Sequence, residues 1–487
     1  MKRKYYISLL SIIIIAIIIY FLGFYLVGNE RSKTTIYLKS IIPSSIKNLL
    51  KDTIYEKQEI KKEIKNQIIK NKDLEKLYNF KIEALNNLKK KNSSGNFENI
   101  FFEKFRDEKI LSKKNSYNLK VFHSPFLYNP IHPSAKGSAF IEETKNNIII
   151  VDSLGEIYFF NKSDFKLKKF VAKNIPNNLK DIIKYQTFYD QYEYSIKDVL
   201  IFENKIYVSF TNEISNNCFN TSILVSDFKY DYLDFSIFFN PNDCVKKDNI
   251  TGFFNPHIAG GRLVNFDKNH LLFSTGDFQN YKLAQNKDNL FGKILRINLV
   301  NKKVDIVSLG HRNVQGLKYD KIKRFIISTE HGPIGGDEIN LNKLTTEKII
   351  NFGWPQASYG EHYTTEKKKR YILAPLYKSH KKYGYEEPLT YYTPSIAISE
   401  IENVNNLFSN FTDSHDDYFV GSLGKDLENG QLSIHHLKID HNKSEIIKYD
   451  IIQIKERIRD IKYLEELKVV LMFLESSGSI GILEKNQ

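Results

Sequence analysis

The chain has 487 residues, 41% of them hydrophobic, and carries a formal net charge of +14. This length and apolar content are sufficient for a large folded core and exclude a disordered protein. The lysines are scattered along the chain without a basic stripe of interleaved aromatic residues, so we expect no nucleic-acid partner. We interpret the positive charge as a solubilising background.

The amino terminus has the pattern of a membrane anchor. The basic segment Met1-Lys2-Arg3-Lys4 precedes an almost unbroken apolar run from Tyr5 to Val27. At about 1.5 Å per residue, a helix of this length crosses a hydrocarbon core, and its positive end stays inside. The alternative is a cleaved signal peptide, but this run is longer than a typical signal core and no small-residue cleavage site follows. We predict a single-pass anchor at residues 1–28 in the inner (cytoplasmic) membrane, with the rest of the chain periplasmic or extracytoplasmic.

Residues 29–116 are predicted to form a helical stalk and linker. Residues 44–90 contain no glycine, and a series of apolar residues that includes Ile60, Ile64 and Ile68 recurs at helical spacing among lysines and glutamates. The alternative is a partner-binding coiled coil, which would require a more regular heptad repeat than this segment has.

From about Tyr117 the period changes to that of strands. Short apolar runs joined by Asn, Asp, Lys and Gly, as in 147–161, 198–211 and 262–275, are typical of antiparallel hairpins. We therefore predict that residues 117–487 form a closed all-β propeller.

Cys218 and Cys244 are the only cysteines. In an extracytoplasmic domain a single pair predicts a disulfide, with two free buried thiols as the alternative. A metal site is excluded because two thiolates without nearby histidines do not complete a tetrahedral shell.

Three motifs lie close together in the second half of the chain: GHRNVQGL from Gly310, EHGPIGGDEIN from Glu330 and FGWP from Phe352. Taken alone, the Gly-Gly-Asp-Glu segment would be a tight turn. In this order and spacing, the three motifs resemble the glucose/sorbosone dehydrogenase family. These are soluble-type aldose dehydrogenases that use pyrroloquinoline quinone (PQQ) and calcium on a six-bladed β-propeller, and the resemblance thins toward the amino terminus.

The resemblance implies a catalytic pair, His257 and Asp277. In this family a His before a Gly-Arg-Leu strand abstracts the proton of the sugar hydroxyl, and an Asp after the next strand orients it. A hydride leaves an alcohol carbon as the hydroxyl loses its proton, and imidazole is suited to accepting that proton near neutral pH. The family spacing from His to Gly-Arg is usually shorter than the one found here.

The resemblance also implies a cofactor site. Arg312 and Asn313 match the family pair that contacts PQQ, and Arg457 and Arg459 match two arginines that clamp its carboxylates. Period-two spacing places the second pair on one face of a strand, where bidentate pairing with carboxylates is strong. The family lysine has an approximate match in Lys425, one position out of register.

The carbonyls of Gly332 and Pro333 match the family's calcium ligands. Where the family often has a Gln near a Gly-Gly-Leu-Leu turn, this chain has Glu193, a candidate for gripping sugar hydroxyls. Trp354 of FGWP is expected to pack a blade rather than bind sugar.

We therefore expect a membrane-anchored, PQQ- and calcium-dependent dehydrogenase that oxidises an aldose or related alcohol and passes electrons to an unidentified acceptor. The alternatives are a non-catalytic propeller that binds a partner or glycan, and a propeller lactonase. The loops that shape sugar pockets carry no readable motif, so the substrate does not follow from the sequence.

Overall fold

The computed structural model describes residues 99–127, 138–190, 193–344, 348–408 and 415–486. All of them belong to the compact unit Ala84–Gln487. The predicted anchor at 1–28 and the helical segment 44–90 lie outside the described residues. Within the described ranges, no helix combines the length and apolar character needed to cross a membrane.

The described residues form an all-β fold of mainly antiparallel strands, which confirms that part of the prediction. The largest sheet has nine strands in the order β25-β26-β27-β2-β1-β6-β5-β4-β3. Its strands from the start of the chain are β1 (Ile100–Leu111), β2 (Ser116–His123), β3 (Ala139–Glu143), β4 (Asn147–Asp152), β5 (Ile157–Asn161) and β6 (Lys169–Asn174). Its strands from the end of the chain are β25 (Ile458–Leu464), β26 (Val469–Leu474) and β27 (Ser479–Lys485).

Four smaller sheets complete the fold. The next sheet contains β7 (Ile196–Phe202), β8 (Lys205–Ser215), β9 (Cys218–Asp227), β10 (Ser236–Phe239) and β11 (Val245–Lys246). The following two contain β12 (Gly260–Asp267), β13 (His270–Thr275), β14 (Lys293–Asn298), β15 (Val304–Leu309) and β19 (Ile350–Asn351), then β16 (Val314–Asp320), β17 (Phe325–Glu330), β18 (Asp337–Lys343) and β20 (Thr390–Tyr392). The last contains β21 (Ile398–Asn403), β22 (His415–Ser422), β23 (Ser433–Asp440) and β24 (Glu445–Gln453).

Helices are short and lie in the connections. The α-helices are α1 (Leu179–Ile182), α2 (Gln186–Asp190) and α3 (Lys367–Leu373). The 3-10 helices are Lys162–Lys166, Lys381–Tyr383, Asn405–Leu407 and Glu465–Leu467.

The strands β3, β7, β12, β16, β21 and β25 pack against one another in a closed ring. Each is the first strand of its antiparallel series, and the following strands extend outward from it. Apolar clusters fill the spaces between neighbouring sheets, for example Ile327, Ile401 and Leu437. This radial arrangement around a central channel is that of a β-propeller.

Strand pairing between the two ends of the described part of the chain closes the ring. β2 pairs antiparallel with β27, with Leu119 opposite Leu483. The sheet region begins with β1, earlier than the expected start at about Tyr117, and β1 bridges β2 and β6. Its middle alternates partly buried and exposed residues that include several charged side chains, which obscured its strand period in the sequence.

The predicted disulfide is confirmed. Cys218 begins β9 and is bonded to Cys244, with a Cα–Cα distance of 5.3 Å. The bond ties the outer part of this sheet to the segment that leads toward β12.

Leu119→Ala should lower the free energy of unfolding by about 2–5 kcal/mol, because Leu119 is fully buried in the closing strand pair. At the next position, Lys120 forms a partly exposed ion pair with Glu484 at 2.9 Å, so Lys120→Ala should cost less than about 1 kcal/mol. Urea unfolding of the two variants measures the difference. Equal losses would contradict the assigned role of the closing strand.

Candidate active site

Two adjoining cavities lie where the inner strands begin. The smaller, of about 290 Å³, is lined from all six inner strands or the residues that lead into them. Its lining residues include Phe140 (β3), Lys197 (β7), Arg262 (β12), Gln315 (β16), Ala397 (before β21) and Arg459 (β25). The larger cavity, of about 490 Å³, shares His257, Asn313 and His331 with it. The cavities therefore form one site at the mouth of the central channel.

The structure brings together six of the residues that the sequence singled out. His257 and Asn313 line both cavities, and the others line one cavity each: Arg457 and Arg459 the smaller, Arg312 and Gly332 the larger. Four other predicted residues do not line either cavity; these are Glu193, Asp277, Pro333 and Lys425.

His257 is half-exposed at the boundary between the cavities. Its side chain is 48% exposed, and its Nε2 lies 3.6 Å from Glu193 Oε1. Its backbone amide donates to Asn255 Oδ1 at 2.9 Å. The carboxylate beside the candidate base is thus that of Glu193, a residue that the sequence had assigned to the substrate.

Asp277 has a different set of partners from the one expected. Its carboxylate is fully buried and accepts a hydrogen bond from Trp354 Nε1 at 2.7 Å and from the Gln279 amide at 2.8 Å. Burial raises the pKa of Asp277 to about 6, against the opposing effects of the Trp354 hydrogen bond and the Arg312 charge. Trp354 itself is buried, as expected for a packing residue.

Side chains of the GHRN and EHGP motifs contact each other. His311 is buried, with Nδ1 2.8 Å from Glu330 Oε2 and Nε2 2.7 Å from Ser308 Oγ. The next residue, Arg312, donates from Nη1 to the His331 carbonyl oxygen at 2.9 Å, and its guanidinium lies 5.4 Å from the Trp354 ring centroid. These contacts position Arg312 at the cavity wall.

Asn313 links the motif to β12 and to the cavity floor. Its Oδ1 accepts from the Gly260 amide at 3.1 Å and from Gln315 Nε2 at 3.0 Å. Gln315 in turn accepts from Arg459 Nη1 at 3.0 Å. Gln315 had no assigned role in the sequence, although it belongs to the same motif.

Arg457 and Arg459 share one buried carboxylate, that of Glu475. Arg457 Nη2 lies 2.7 Å from Glu475 Oε2, and Arg459 Nη2 lies 2.7 Å from Oε1. Glu475 is fully buried at the end of β26. Its negative charge reduces the net charge of the arginine pair to one positive unit. An acidic residue directly after an apolar strand was the available signal in the sequence.

The EHGP segment is a tightly packed turn. The Gly332 amide donates to Asp337 Oδ1 at 3.0 Å, and a β carbon on Gly332 would lie 2.1 Å from the Gly336 carbonyl oxygen, so only glycine fits. The Pro333 carbonyl accepts from Ser395 Oγ at 3.3 Å. Across the residues that the structure describes, no group of three or more His, Cys, Asp or Glu side chains could hold a metal ion.

Lys425 lies on an exposed loop after β22, where its backbone amide donates to Gln431 Oε1. His331, by contrast, lines both cavities, and its buried Nε2 has no hydrogen-bond partner among the described residues. Burial lowers the pKa of His331, which favours the neutral ring. The two cavities therefore share a neutral imidazole in their wall.

Comparison with known proteins agrees with this arrangement. A sequence model described as Glucose / Sorbosone dehydrogenase matches residues 202–482, more than half of the chain. The chain belongs to the glucose/sorbosone dehydrogenase family. The match includes the segments that carry His257, the three motifs and both arginines.

Two curated relatives each match slightly less than half of the chain. An uncharacterised protein of Synechocystis sp., slr1608, is 31% identical over 252 residues, which are 46% of this chain and 55% of the relative. The aldose sugar dehydrogenase YliI of Escherichia coli is 29% identical over 234 residues, which are 45% of this chain and 58% of that protein. The chain thus spans about half the length of the curated relatives it matches.

Solved structures share the fold across most of the chain. A glucose dehydrogenase superposes with a TM-score of 0.56 at 16% identity, covering 79% of this chain and all of that one. The soluble aldose sugar dehydrogenase of Escherichia coli, in its apo-form, gives a TM-score of 0.55 at 19% identity, covering 76% of this chain and 99% of that one. The architecture is therefore shared with glucose and aldose sugar dehydrogenases at low sequence identity.

Asp277→Asn should make stability less dependent on pH. The raised pKa of Asp277 means that the folded state holds this proton more tightly than the unfolded state does. Its stabilising effect is fully present below about pH 3.9 and is lost as the pH rises through about 6. From about pH 4 to pH 7, the free energy of unfolding of the parent protein should fall by roughly 1–3 kcal/mol more than that of Asp277→Asn. Urea unfolding of both proteins across this pH range measures the difference.

The control is Asp288→Asn, because Asp288 is exposed on the same loop. It should follow the parent protein at every pH. A parallel pH response of the parent and Asp277→Asn would contradict the inferred protonation of Asp277.

Proposed function

We propose that this protein is a PQQ-dependent oxidoreductase that oxidises an aldose or related alcohol at a CH–OH carbon. The observation that carries the proposal is the convergence of His257, Arg312, Asn313 and the Arg457/Arg459 pair from separate parts of the chain around one site. A binding module or a lactonase would need no such combination of carboxylate-binding cations and a half-exposed histidine.

The donor set of the smaller cavity suits a planar polycarboxylate. PQQ has three carboxylates and an ortho-quinone, so its site needs cations and hydrogen-bond donors or acceptors. Arg457 and Arg459 would hold carboxylates, Asn313 and Gln315 would supply amide groups, and the His331 ring would supply one more polar contact. When bound, PQQ would supply the quinone chemistry that accepts the hydride.

The larger cavity suits a polyhydroxylated substrate. Asn255, Gln279, Thr364 and Thr365 place neutral polar groups along its wall. At the boundary of this cavity, His257 would accept the proton of a substrate hydroxyl while the carbon that bears this hydroxyl loses a hydride. Glu193, 3.6 Å from His257 Nε2, would orient the ring in the role that the sequence assigned to Asp277.

Calcium is part of the proposal through the Gly332–Pro333 segment. Backbone carbonyl oxygens are suitable ligands for this hard cation, and Gly332 lines the larger cavity. Ser395 already donates to the Pro333 carbonyl, whose second lone pair would have to serve the ion. Support for calcium comes from the family pattern of this turn.

We further propose a six-bladed propeller held on the outer side of the inner membrane by the anchor at residues 1–28. The ring of six inner strands supports the blade number. The apolar run from Tyr5 to Val27 and the Cys218–Cys244 disulfide support the location, because disulfides persist in oxidising compartments.

His257→Ala should impair turnover, whereas Arg459→Ala should impair cofactor binding. His257→Ala removes the proton acceptor but no cofactor cation, so PQQ should still bind while turnover falls by roughly two to four orders of magnitude. Arg459→Ala should weaken PQQ binding by about 2–5 kcal/mol, and excess PQQ should restore much of its activity. Dye reduction with a panel of sugars measures turnover, and calorimetry with calcium present measures affinity.

Arg296→Ala is the matched control, because Arg296 of β14 pairs with Asp305 of β15 and lines neither cavity. It should leave PQQ affinity and turnover unchanged. A parent protein that does not bind PQQ in the presence of calcium would overturn the proposal, and hydrolysis of lactones without PQQ would favour the lactonase instead.

Chelation of calcium should abolish dye reduction, and added calcium should restore it. Magnesium should restore less, because it requires a tighter octahedral shell than a turn of carbonyl oxygens offers. Activity is measured before and after chelation, with the metal content of the same samples determined by elemental analysis. Full activity in metal-free protein would remove calcium from the proposal.

A further inference from the structure

Lys197 is a basic side chain of the smaller cavity to which the sequence motifs gave no role. It is the second residue of β7, and it lines the cavity. Its Nζ donates to the Glu193 carbonyl oxygen at 2.7 Å and to Ser195 Oγ at 3.4 Å. In the part of the chain that the structure describes, no carboxylate forms an ion pair with it. An ammonium group has three N–H donors, so these two contacts leave capacity for a third acceptor.

The other permanent cations of the cavity already have carboxylate partners. Arg262 lies within 3.2 Å of three carboxylate groups, those of Asp198, Glu400 and Asp460. Arg457 and Arg459 share Glu475. Lys197 is therefore the cation whose charge is compensated least by the described residues around this cavity.

The first carbons of the Lys197 side chain pack against a glycine on the neighbouring inner strand. Gly261 on β12 has a φ of +115°, and a β carbon there would lie 2.3 Å from the Lys197 Cβ. The close approach of β12 to β7 at this point needs a residue without a side chain. The base of the lysine is thereby held against the cavity wall.

The surroundings of Lys197 disfavour its charge until an anion arrives. Burial lowers the pKa of Lys197 to about 7, nearby Arg459 acts in the same direction, and Glu193 opposes both. The other charged or titratable groups that line the cavity are His257 and Arg262 near β12, His331 after β17 and Arg457 before β25. A bound carboxylate would favour the ammonium form, because opposite charges nearby stabilise the charged state.

We propose that Lys197 binds a carboxylate of the PQQ cofactor and that it, rather than Lys425, is the lysine of this site. The inference rests on the function proposed above. Lys197 lines the cavity next to the arginine pair, whereas Lys425 is exposed and lines neither cavity. Charge-assisted hydrogen bonds to carboxylates account for the affinity that each cation adds.

The test is calorimetric titration of the full-length protein with PQQ at constant calcium. Lys197→Met should weaken binding at least about 30-fold, the effect of losing a charge-assisted contact in a desolvated site. Lys173→Met, on an exposed position of β6, is the matched control and should bind like the parent. Lys197→Gln, which keeps a donor without charge, provides a second variant, and urea unfolding verifies that each variant is folded.

Proton uptake is the second readout. Titrations at pH 8 in two buffers of different ionisation enthalpy should show that the parent takes up protons when PQQ binds and that Lys197→Met takes up fewer. The histidines of the cavity are present in both proteins, so the difference reports Lys197.

Equal affinity and equal proton uptake in the parent and Lys197→Met would overturn this inference and leave the proposed function standing. Weaker binding by Lys425→Met, with no change in Lys197→Met, would overturn it in favour of the sequence-based assignment. A parent protein that does not bind PQQ would overturn the proposed function and this role of Lys197 together.

Discussion

The pairing of β2 with β27 is the contact on which the rest of the structure depends. β2 completes the sheet that begins with β25, and β25 packs directly against β3 to close the ring of six inner strands. Because the smaller cavity takes residues from all six inner strands, an open ring would separate Phe140 on β3 from Arg459 on β25. Closure thus produces both the stability of the fold and the existence of the site.

Buried charges join the inner strands around the smaller cavity. Arg262 projects from β12 and contacts carboxylates from β7, β21 and β25. Three carboxylates around one guanidinium exceed its charge, and their burial raises the pKa of Asp198 to about 6 and that of Glu400 to about 8. Protonation of these carboxyl groups reduces the excess negative charge. The contacts of Arg262 join four inner strands. Glu475 also compensates buried charge. Its carboxylate allows two arginines to lie side by side at the cavity wall.

Several motif residues serve the loops rather than the ligand. His311 joins the GHRN loop to Glu330 of the EHGP segment, and Asp277 accepts from Trp354 of FGWP. These buried contacts join four loops in two pairs, and Arg312 and Gly332 of the first pair line one cavity. The density of polar residues in the motifs has this origin: buried loop ends need satisfied hydrogen bonds as much as the site needs functional groups.

The sequence by itself determined the features that are local or that leave one choice of partner. Alternating apolar runs predicted the hairpins β4–β5, β7–β8 and β12–β13, two cysteines allowed a single disulfide, and the motif order identified the family. The proximity of Arg457 and Arg459 in the sequence predicted that they act as a pair, and both contact one carboxylate. Glycines such as Gly332 marked turns in which no side chain fits.

Only the tertiary structure decided which distant groups meet. It placed Glu193 beside His257, turned Asp277 toward Trp354, left Lys425 on an exposed loop and put Lys197 in the cavity. It also added β1 to the sheets, ahead of the start that hydrophobic alternation indicated. The physical reason is that the partner of a charged side chain depends on which inner strands adjoin in the closed ring. Neighbouring inner strands bring together residues that are far apart in the chain, and no periodic pattern in the sequence predicts which strands are neighbours.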